Sequence, residues 1–232
     1  MHQTKRVSTK NHQEPAAIDH LISSPSKDAE LVHLKHQKIV NGACKVMFEK
    51  GYHLTTIREI AKACNMSMGQ LYHYISCKDD ILFLIHRHMQ KLWYDQLENS
   101  GVESIKNPIE RLDKVIRHTQ EFMLQNKKLI QFVYTESKYL DKRHLQVILE
   151  MDNNNVVGFY RRLLNEISLH TPLKGDLNFK ANLIAYLGVF LALRGWNLKD
   201  KPVKRNIDSL RESIFQIIGL NVPDADRGRA KN

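Results

Sequence analysis

The segment SMGQLYHYISCKDD, residues 67–80, is rich in hydrogen-bonding side chains, yet its only charges lie in its last three residues. The amide of Gln70 can bond both edge atoms of adenine, and His73 can donate to the acceptors of guanine. The apolar Met68 can meet a thymine methyl group, while Tyr72 carries a hydroxyl of the kind that binds backbone phosphates. These residue types favour the reading of DNA, provided that they lie on the exposed side of a helix.

Two helix starts position this segment. Thr56 with Glu59 and Ser67 with Gln70 each match the capping box, in which a hydroxyl and a side chain three residues later satisfy free amides of the first turn. Asn65 stands between them and tolerates the left-handed backbone that a tight turn requires. The second box leaves an alternative open, because a Gln70 that caps its own helix is not free to bind a base. Surface exposure without contact is the alternative for His73, and a core position is the alternative for Tyr72.

Apolar spacing completes a helix-turn-helix with a supporting helix over 34–50 that ends at Gly51. The residues expected to face inward are Ile57, Ile60, Ala61, Met66, Leu71 and Ile75. The residues left wholly or partly outside are Ser67, Met68, Gly69, Gln70, Tyr72, His73 and Tyr74. A glycine at position 69 lowers helix stability by about 1 kcal/mol relative to alanine. Close approach of the helix to DNA is one reason for a glycine at this position.

The whole chain has 232 residues, with 35 Lys and Arg against 25 Asp and Glu, and a net charge of +10. This excess is compatible with a nucleic-acid partner, although it is spread along the chain. No unbroken apolar run approaches a bilayer span, and the first residues lack the apolar core of a signal peptide, which favours a cytoplasmic protein. Three widely spaced cysteines are a poor disulfide framework, and 12 histidines without a metal-binding motif predict no metal and no cofactor.

The rest of the sequence predicts an all-α protein without strands. Helices are expected over 108–125, 127–140, 142–169, 176–197 and 203–219. The expected divisions are a flexible extension over 1–30, a helix-turn-helix domain over 31–78, a connecting helix over 79–101, a ligand-binding and dimerisation domain over 102–220, and a flexible tail over 221–232. The run Asn153-Asn154-Asn155 is unusual inside a helix, because asparagine competes for backbone hydrogen bonds.

Residues 37–85 resemble the DNA-binding domain of the TetR/AcrR family of bacterial repressors. The resemblance is carried by Gly51-Tyr52, Thr55-Thr56, Ile60-Ala61, Gly69-x-Leu71-Tyr72 and Lys78. It implies that Thr55 or Thr56, Tyr72 and Lys78 contact phosphates, that Met68, Gln70 and His73 face bases, and that Ser67, Gly69 and Tyr74 lie at the margin of the contact.

The same resemblance implies a homodimer, formed through the helices at 176–197 and 203–219, that binds operator DNA and is released by a small effector. Burial of these helices within one monomer is the alternative. The residues 71–74 and 78–82 are similar to a branch that senses acyl-CoA thioesters. The candidate effector-binding residues are Phe122, Tyr134, Tyr139, Asn155, Phe159, Arg194 and Trp196. Two competing functions are a helical carrier or enzyme with an incidental helix-turn-helix, and a DNA-binding activator without a ligand.

Overall fold

The computed structural model describes Ile22 and residues 28–223, and within these residues all regular structure is helical. The all-α prediction is therefore confirmed. Ten α-helices follow one another in the described part of the chain: α1 (Ala29–Leu54), α2 (Ile57–Ala63), α3 (Met68–Tyr72), α4 (Lys78–Asn99), α5 (Pro108–Gln125), α6 (Lys127–Glu136), α7 (Lys142–Asp152), α8 (Gly158–Ser168), α9 (Leu177–Arg194) and α10 (Val203–Ile218).

Helix ends coincide with local signals in the sequence. The Asn107 side chain accepts from the amide of Ile109 at 2.9 Å, and Pro108 follows as the first residue of α5, where its missing N–H is no loss. The Asp176 carboxylate accepts from the amide of Asn178 at 2.8 Å and caps α9. Gly51, with a φ of 77°, interrupts the regular helix near the end of α1. These signals act within a few residues, which is why the expected and observed boundaries agree closely for α5 and α10, whereas α1 begins five residues before its expected start and α6 ends four residues before its expected end.

The asparagine run is the site of a local irregularity. Asn153–Val157 form a π-helical segment between α7 and α8. The residues of the expected helix over 142–169 are therefore helical almost throughout, but the backbone hydrogen-bonding pattern changes from α to π and back to α. Asparagine side chains compete with the regular backbone ladder, and π-helical turns are frequent where that ladder is disturbed.

The described residues divide into two compact units, each assembled from separate stretches of chain. The head unit contains residues 28–94 and 127–152, and the body unit contains residues 95–126 and 153–223. The helices α6 and α7 therefore group with the helix-turn-helix, whereas the sequence-based division assigned them to the carboxyl-terminal domain. The expected extension over 1–30 and the expected tail over 221–232 lie largely outside the described residues.

The head unit is built around a core to which α1, α2, α3 and α4 all contribute. Ile39, Met47, Ile60, Leu71 and Ile75 are fully buried there. Aromatic contacts join α6 and the turn after it to the same core. The rings of Phe48 and Phe132 lie 5.3 Å apart, and Tyr52 stacks on Tyr139 at 5.5 Å. The helix α6 and the turn after it thus pack on α1, which also supports α2.

The body unit is organised around α9, which packs against α5, α8 and α10. Buried polar bonds join these helices: Arg211 pairs with Asp113, and Gln120 donates to the carbonyl oxygens of Leu187 and Gly188 at 3.2 and 3.1 Å. In the described residues, one stretch, Leu177–Leu198, is long and apolar enough to cross a membrane by length and composition alone. The sequence-based expectation considered only unbroken apolar runs and therefore found no such stretch. Core helices of soluble globular proteins reach the same mean hydropathy.

Candidate nucleic-acid interface

The capping box predicted at the start of α2 is formed in full. Thr56 Oγ1 accepts from the amide of Glu59 at 3.2 Å, and the amide of Thr56 donates to Glu59 Oε2 at 2.9 Å. The ammonium group of Lys50 donates to the same carboxylate. The hydrogen bonds from Lys50 and Thr56 lower the pKa of Glu59 to about 2, so the carboxylate stays ionised at any physiological pH. These contacts tie the first turn of α2 to the end of α1.

The box at the start of α3 is also complete. Ser67 Oγ accepts from the amide of Gln70 at 3.1 Å, and the amide of Ser67 donates to Gln70 Oε1 at 2.9 Å. Because α3 has only five residues, too few for an isolated helix to persist, these bonds matter for its formation. One lone pair of Gln70 Oε1 is therefore occupied, which leaves its other lone pair and the amide nitrogen for a base. The cap holds the side chain in one orientation, so a bidentate bond to adenine has to be made from that orientation or after the cap opens.

The turn between the two helices requires a close approach to α1. Asn65 adopts a φ of 49°, as its position in the turn predicts. The preceding residue, Cys64, is buried and packs directly on Gly42 of α1. A Cβ atom on Gly42 would lie 2.3 Å from Cys64 Sγ, which is closer than non-bonded carbon and sulfur atoms can approach. Gly42 thus sets how closely α2 and the turn approach the supporting helix.

One face of α3 and the turn before it is exposed. Met68 is 38% exposed and Tyr72 is 49% exposed, although both are large side chains with apolar bodies. The exposed members of the sequence-predicted set are Ser67, Met68, Gly69, Gln70, Tyr72 and His73. Six of the residues that the sequence predicts to contact DNA are therefore accessible, and they are neighbours in the chain.

An open groove of about 540 Å³ lies between α2 and α3 and adds two cations to this surface. Ser67, Met68 and Gln70 line its α3 side, while Arg58 and Lys62 line its α2 side. Sequence reasoning missed both cations, because it looked for positive charge only within residues 67–80. The signal was present, since residues four apart on a helix lie on the same face. The groove combines neutral side chains suited to bases with cations suited to phosphates.

Comparison with known proteins agrees with this geometry. Residues 39–85 match the family described as bacterial regulatory proteins, tetR family. The HTH-type transcriptional regulator HbdR from Aromatoleum sp. (strain CIB) is 36% identical over 91 residues, which is 39% of each chain. The HTH-type transcriptional regulator PksA from Bacillus subtilis (strain 168) is 25% identical over 195 residues, 81% of this chain and 90% of that relative. Residues 39–85 are therefore a DNA-binding domain of the tetR family of bacterial regulatory proteins.

A solved structure of AibR in complex with isovaleryl coenzyme A and operator DNA has the same fold as this chain. The two chains are 24% identical, with a TM-score of 0.64, over 78% of this chain and 98% of AibR. The similarity therefore extends well beyond the helix-turn-helix. The family consists of regulators of transcription and not of enzymes, which rules out the enzyme alternative.

Two residues of the expected DNA-contact set lie in the interior of the regulator. Thr55 is 1% exposed, and its hydroxyl donates to the carbonyl oxygen of Gly51 at 2.8 Å, where the backbone leaves the regular helix. Tyr74 is 8% exposed, and its carbonyl oxygen lies 2.9 Å from His36 Nε2. The expectation that these side chains reach DNA is corrected: both hold the head unit together, and Thr56 is the threonine at the surface.

Lys78 is also engaged within the head unit of the regulator. Its ammonium group donates to the carbonyl oxygens of Tyr52 at 2.9 Å, Thr55 at 3.2 Å and His53 at 3.5 Å. It also lies 4.2 Å from the centroid of the Tyr52 ring. These carbonyls follow the break in α1, where no helical N–H group is available to them. Lys78 therefore donates to the free carbonyl groups at the end of α1, whereas the family resemblance implies a bond from Lys78 to a phosphate.

The start of α4 is capped by Asp80. The Asp80 carboxylate accepts from the amides of Ser76 at 2.6 Å and Cys77 at 3.2 Å. Asp79 instead accepts from the hydroxyl of Tyr52. The other oxygen of Asp80 lies 3.4 Å from Nε2 of the buried His144 on α7, close enough for an ion pair but outside hydrogen-bond geometry.

The candidate effector-binding residues are divided between the two units. In the head unit, Tyr134 is exposed, and Tyr139 packs between Tyr52 and His53. The remaining residues belong to the body unit. Phe122 and Phe159 are buried, Asn155 is half-buried in the π-helical segment, and Arg194 stacks on the exposed Trp196 at 5.3 Å. Only the buried aromatic residues have the surroundings expected of an apolar pocket wall.

Proposed function

We propose that this TetR-family regulator is a homodimeric repressor that binds a pseudo-palindromic operator through α2 and α3. The observation that carries the proposal is the groove in which Met68 and Gln70 face Arg58 and Lys62. Neutral side chains on α3 suit base edges, and cations on α2 suit phosphates. The exposed hydroxyl of Tyr72 adds a phosphate donor on α3. Operator binding in a bacterium implies a cytoplasmic protein.

The homodimer is supported by apolar side chains that the body unit leaves exposed. Phe179 and Tyr186 on α9 are 65% and 63% exposed, and Val203 and Ile217 on α10 are 59% and 41% exposed. Phe179 and Tyr186 are seven residues apart and so lie on one face of α9, and an exposed apolar face of this kind marks interaction sites in soluble proteins. A symmetric dimer through α9 and α10 presents two copies of α3, which can read half-sites about 34 Å apart in successive major grooves.

The proposed effector is a small hydrophobic molecule or an acyl-CoA. AibR, which has the same fold, was solved with isovaleryl coenzyme A and operator DNA. In this chain α4 begins beside the reading helices and supplies residues to both units, so a ligand that contacts α4 has a direct route to the head. The ligand releases DNA only if it binds the DNA-incompetent conformation more tightly.

Operator binding is tested by selecting fragments that the full-length protein retains from a random DNA pool, followed by mobility-shift assays. Tyr72→Phe removes one hydroxyl and is expected to weaken binding by about tenfold or less, the range of a single hydrogen bond. A protein that retards all sequences equally at fixed salt contradicts the proposal. Transcription of a reporter behind the selected site, with and without the protein, distinguishes a repressor from an activator.

Dimer formation is tested by sedimentation of the full-length protein. Phe179→Glu with Tyr186→Glu places charges on the proposed seam and is expected to yield monomers at micromolar concentration. Leu149→Glu is a matched control, because Leu149 is 60% exposed but lies on α7 of the head unit. A dimer that survives the double substitution locates the interface elsewhere.

A further inference from the structure

One face of α4 within the head unit combines buried apolar residues with two buried polar ones. Leu82, His86, Gln90 and Trp93 are 0%, 3%, 4% and 2% exposed. At 3.6 residues per turn, these four positions fall within roughly 80° of the helix circumference. The two polar residues are therefore neighbours on one stripe, with an apolar residue on each side.

Both polar residues have an atom without a hydrogen-bond partner. In the described structure, His86 Nε2 and Gln90 Oε1 are buried and unpaired. Such atoms are rare in native proteins, and each costs about 1–3 kcal/mol when it stays unpaired. Asp80, a buried polar residue about two to three turns earlier on the same helix, accepts bonds from two backbone amides instead. The stripe thus presents hydrogen-bonding capacity that the head unit itself does not use.

The unpaired groups are uncharged. Burial lowers the pKa of His86 to about 4, so its imidazole is neutral near pH 7. The unpaired Nε2 of a neutral imidazole can donate a hydrogen bond, and the unpaired Oε1 of Gln90 can only accept one. Together they match a neutral carbonyl group that has an N–H group near it, whereas a buried carboxylate or ammonium group requires an opposite charge that neither residue provides.

We propose that His86 binds the carbonyl group of an acyl thioester and Gln90 binds a neighbouring amide N–H group of the same effector, while Leu82 and Trp93 contact the hydrocarbon on either side of the carbonyl. This inference rests on the effector class proposed above and assigns the residues of α4 that recognise it. His86 Nε2–H donates to the carbonyl oxygen, and Gln90 Oε1 accepts from the amide N–H group. The bond exists only in the liganded protein, so it stabilises the conformation that the effector selects.

The test compares two probes that differ by one oxygen atom. Acetyl-, isovaleryl-, octanoyl- and stearoyl-CoA are titrated calorimetrically into the full-length protein without DNA. The tightest binder is then compared with its S-alkyl thioether, in which a methylene group replaces the carbonyl. We expect the thioether to bind wild-type protein about tenfold more weakly, the value of about one hydrogen bond. We expect His86→Leu with Gln90→Leu to bind both probes with equal affinity.

Two controls separate recognition from a structural role. His88→Leu and Gln96→Leu make the same chemical changes on other faces of α4 and are expected to preserve the tenfold difference. The ligand-free double variant is expected to melt at the same temperature as wild type or higher, because it removes unpaired buried atoms. A lower Tm of the double variant, or an unchanged preference of that variant for the thioester, overturns the inference. Either result indicates that His86 and Gln90 have a structural role or are bridged by water.

The outcomes also separate this inference from the proposed function. If none of the four acyl-CoA probes binds the wild-type protein, the assignment of His86 and Gln90 to a thioester is wrong. If no operator is found while the calorimetric preference for the thioester is lost in the double variant, the repressor proposal is wrong and the assignment stands.

Discussion

Helices α2 and α3 begin in the same way but expose different chemistry. Each starts with a complete capping box, yet the box of α2 contains the ionised Glu59 and that of α3 contains the neutral Gln70. On the groove side, α2 exposes Arg58 and Lys62, whereas α3 exposes uncharged residues. In the proposed complex, α2 therefore supplies affinity for phosphates and α3 discriminates among bases, although both helices begin with the same local architecture.

The largest effect is expected when the charge of the α2 box is copied into α3. Gln70→Glu preserves the capping geometry, because glutamate occupies the same position in α2, but it faces DNA with a negative charge. We expect an unchanged Tm and operator binding weakened by about a hundredfold or more, since like charges at an interface cost several kcal/mol. Mobility shift and thermal melting measure the two quantities. Gln70→Ala is the uncharged control, and operator affinity equal to wild type in the glutamate variant would show that position 70 lies away from DNA.

A smaller and uniform loss is expected when the cations of α2 are removed. Arg58→Ala with Lys62→Ala should weaken binding to all sequences by about tenfold or more and leave the sequence preference intact. The slope of log K against log salt should become shallower by roughly 0.9 for each phosphate that the variant no longer neutralises. Lys199→Ala with Lys201→Ala removes the same charge from exposed positions of the body unit and should change neither quantity. A changed base preference in the α2 variant would mean that these cations read bases as well.

The placement of α2 is tested by filling the space at Gly42. Gly42→Ala adds a methyl group where Cys64 Sγ already lies, and overpacking of this kind destabilises by about 1–3 kcal/mol. Denaturant unfolding of the full-length protein measures the change. Adding Cys64→Ala to the same chain should restore much of the stability, because it removes the clashing sulfur. A fully stable Gly42→Ala protein would show that α1 and α2 are farther apart than described.

The smallest effect on DNA is expected at Lys78. Because its ammonium group is held by three main-chain carbonyls, Lys78→Ala should lower the unfolding free energy by about 1–2 kcal/mol. Above the lowered Tm, binding is lost through unfolding; well below it, the salt slope for operator binding should match that of wild type. A slope that falls by about 0.9 would instead establish the phosphate contact that the family resemblance implies.

The partners of several site residues lie too far away in sequence for pattern reasoning to find them. Lys78 bonds carbonyls more than twenty residues earlier, and Tyr52 stacks on Tyr139 of a separate stretch. By contrast, Ser67 and Gln70 form their predicted box because all of its atoms lie within one turn.

The sequence by itself determined the helices, both capping boxes, the left-handed Asn65 and the exposed stretch of α3. These features depend on backbone preferences and on contacts within about four residues, so composition and spacing are sufficient to predict them. Only the tertiary structure decided that Arg58 and Lys62 share a groove with α3, and that His86 and Gln90 are buried without partners. Burial and pairing depend on which distant segments pack together, and no local pattern encodes that choice.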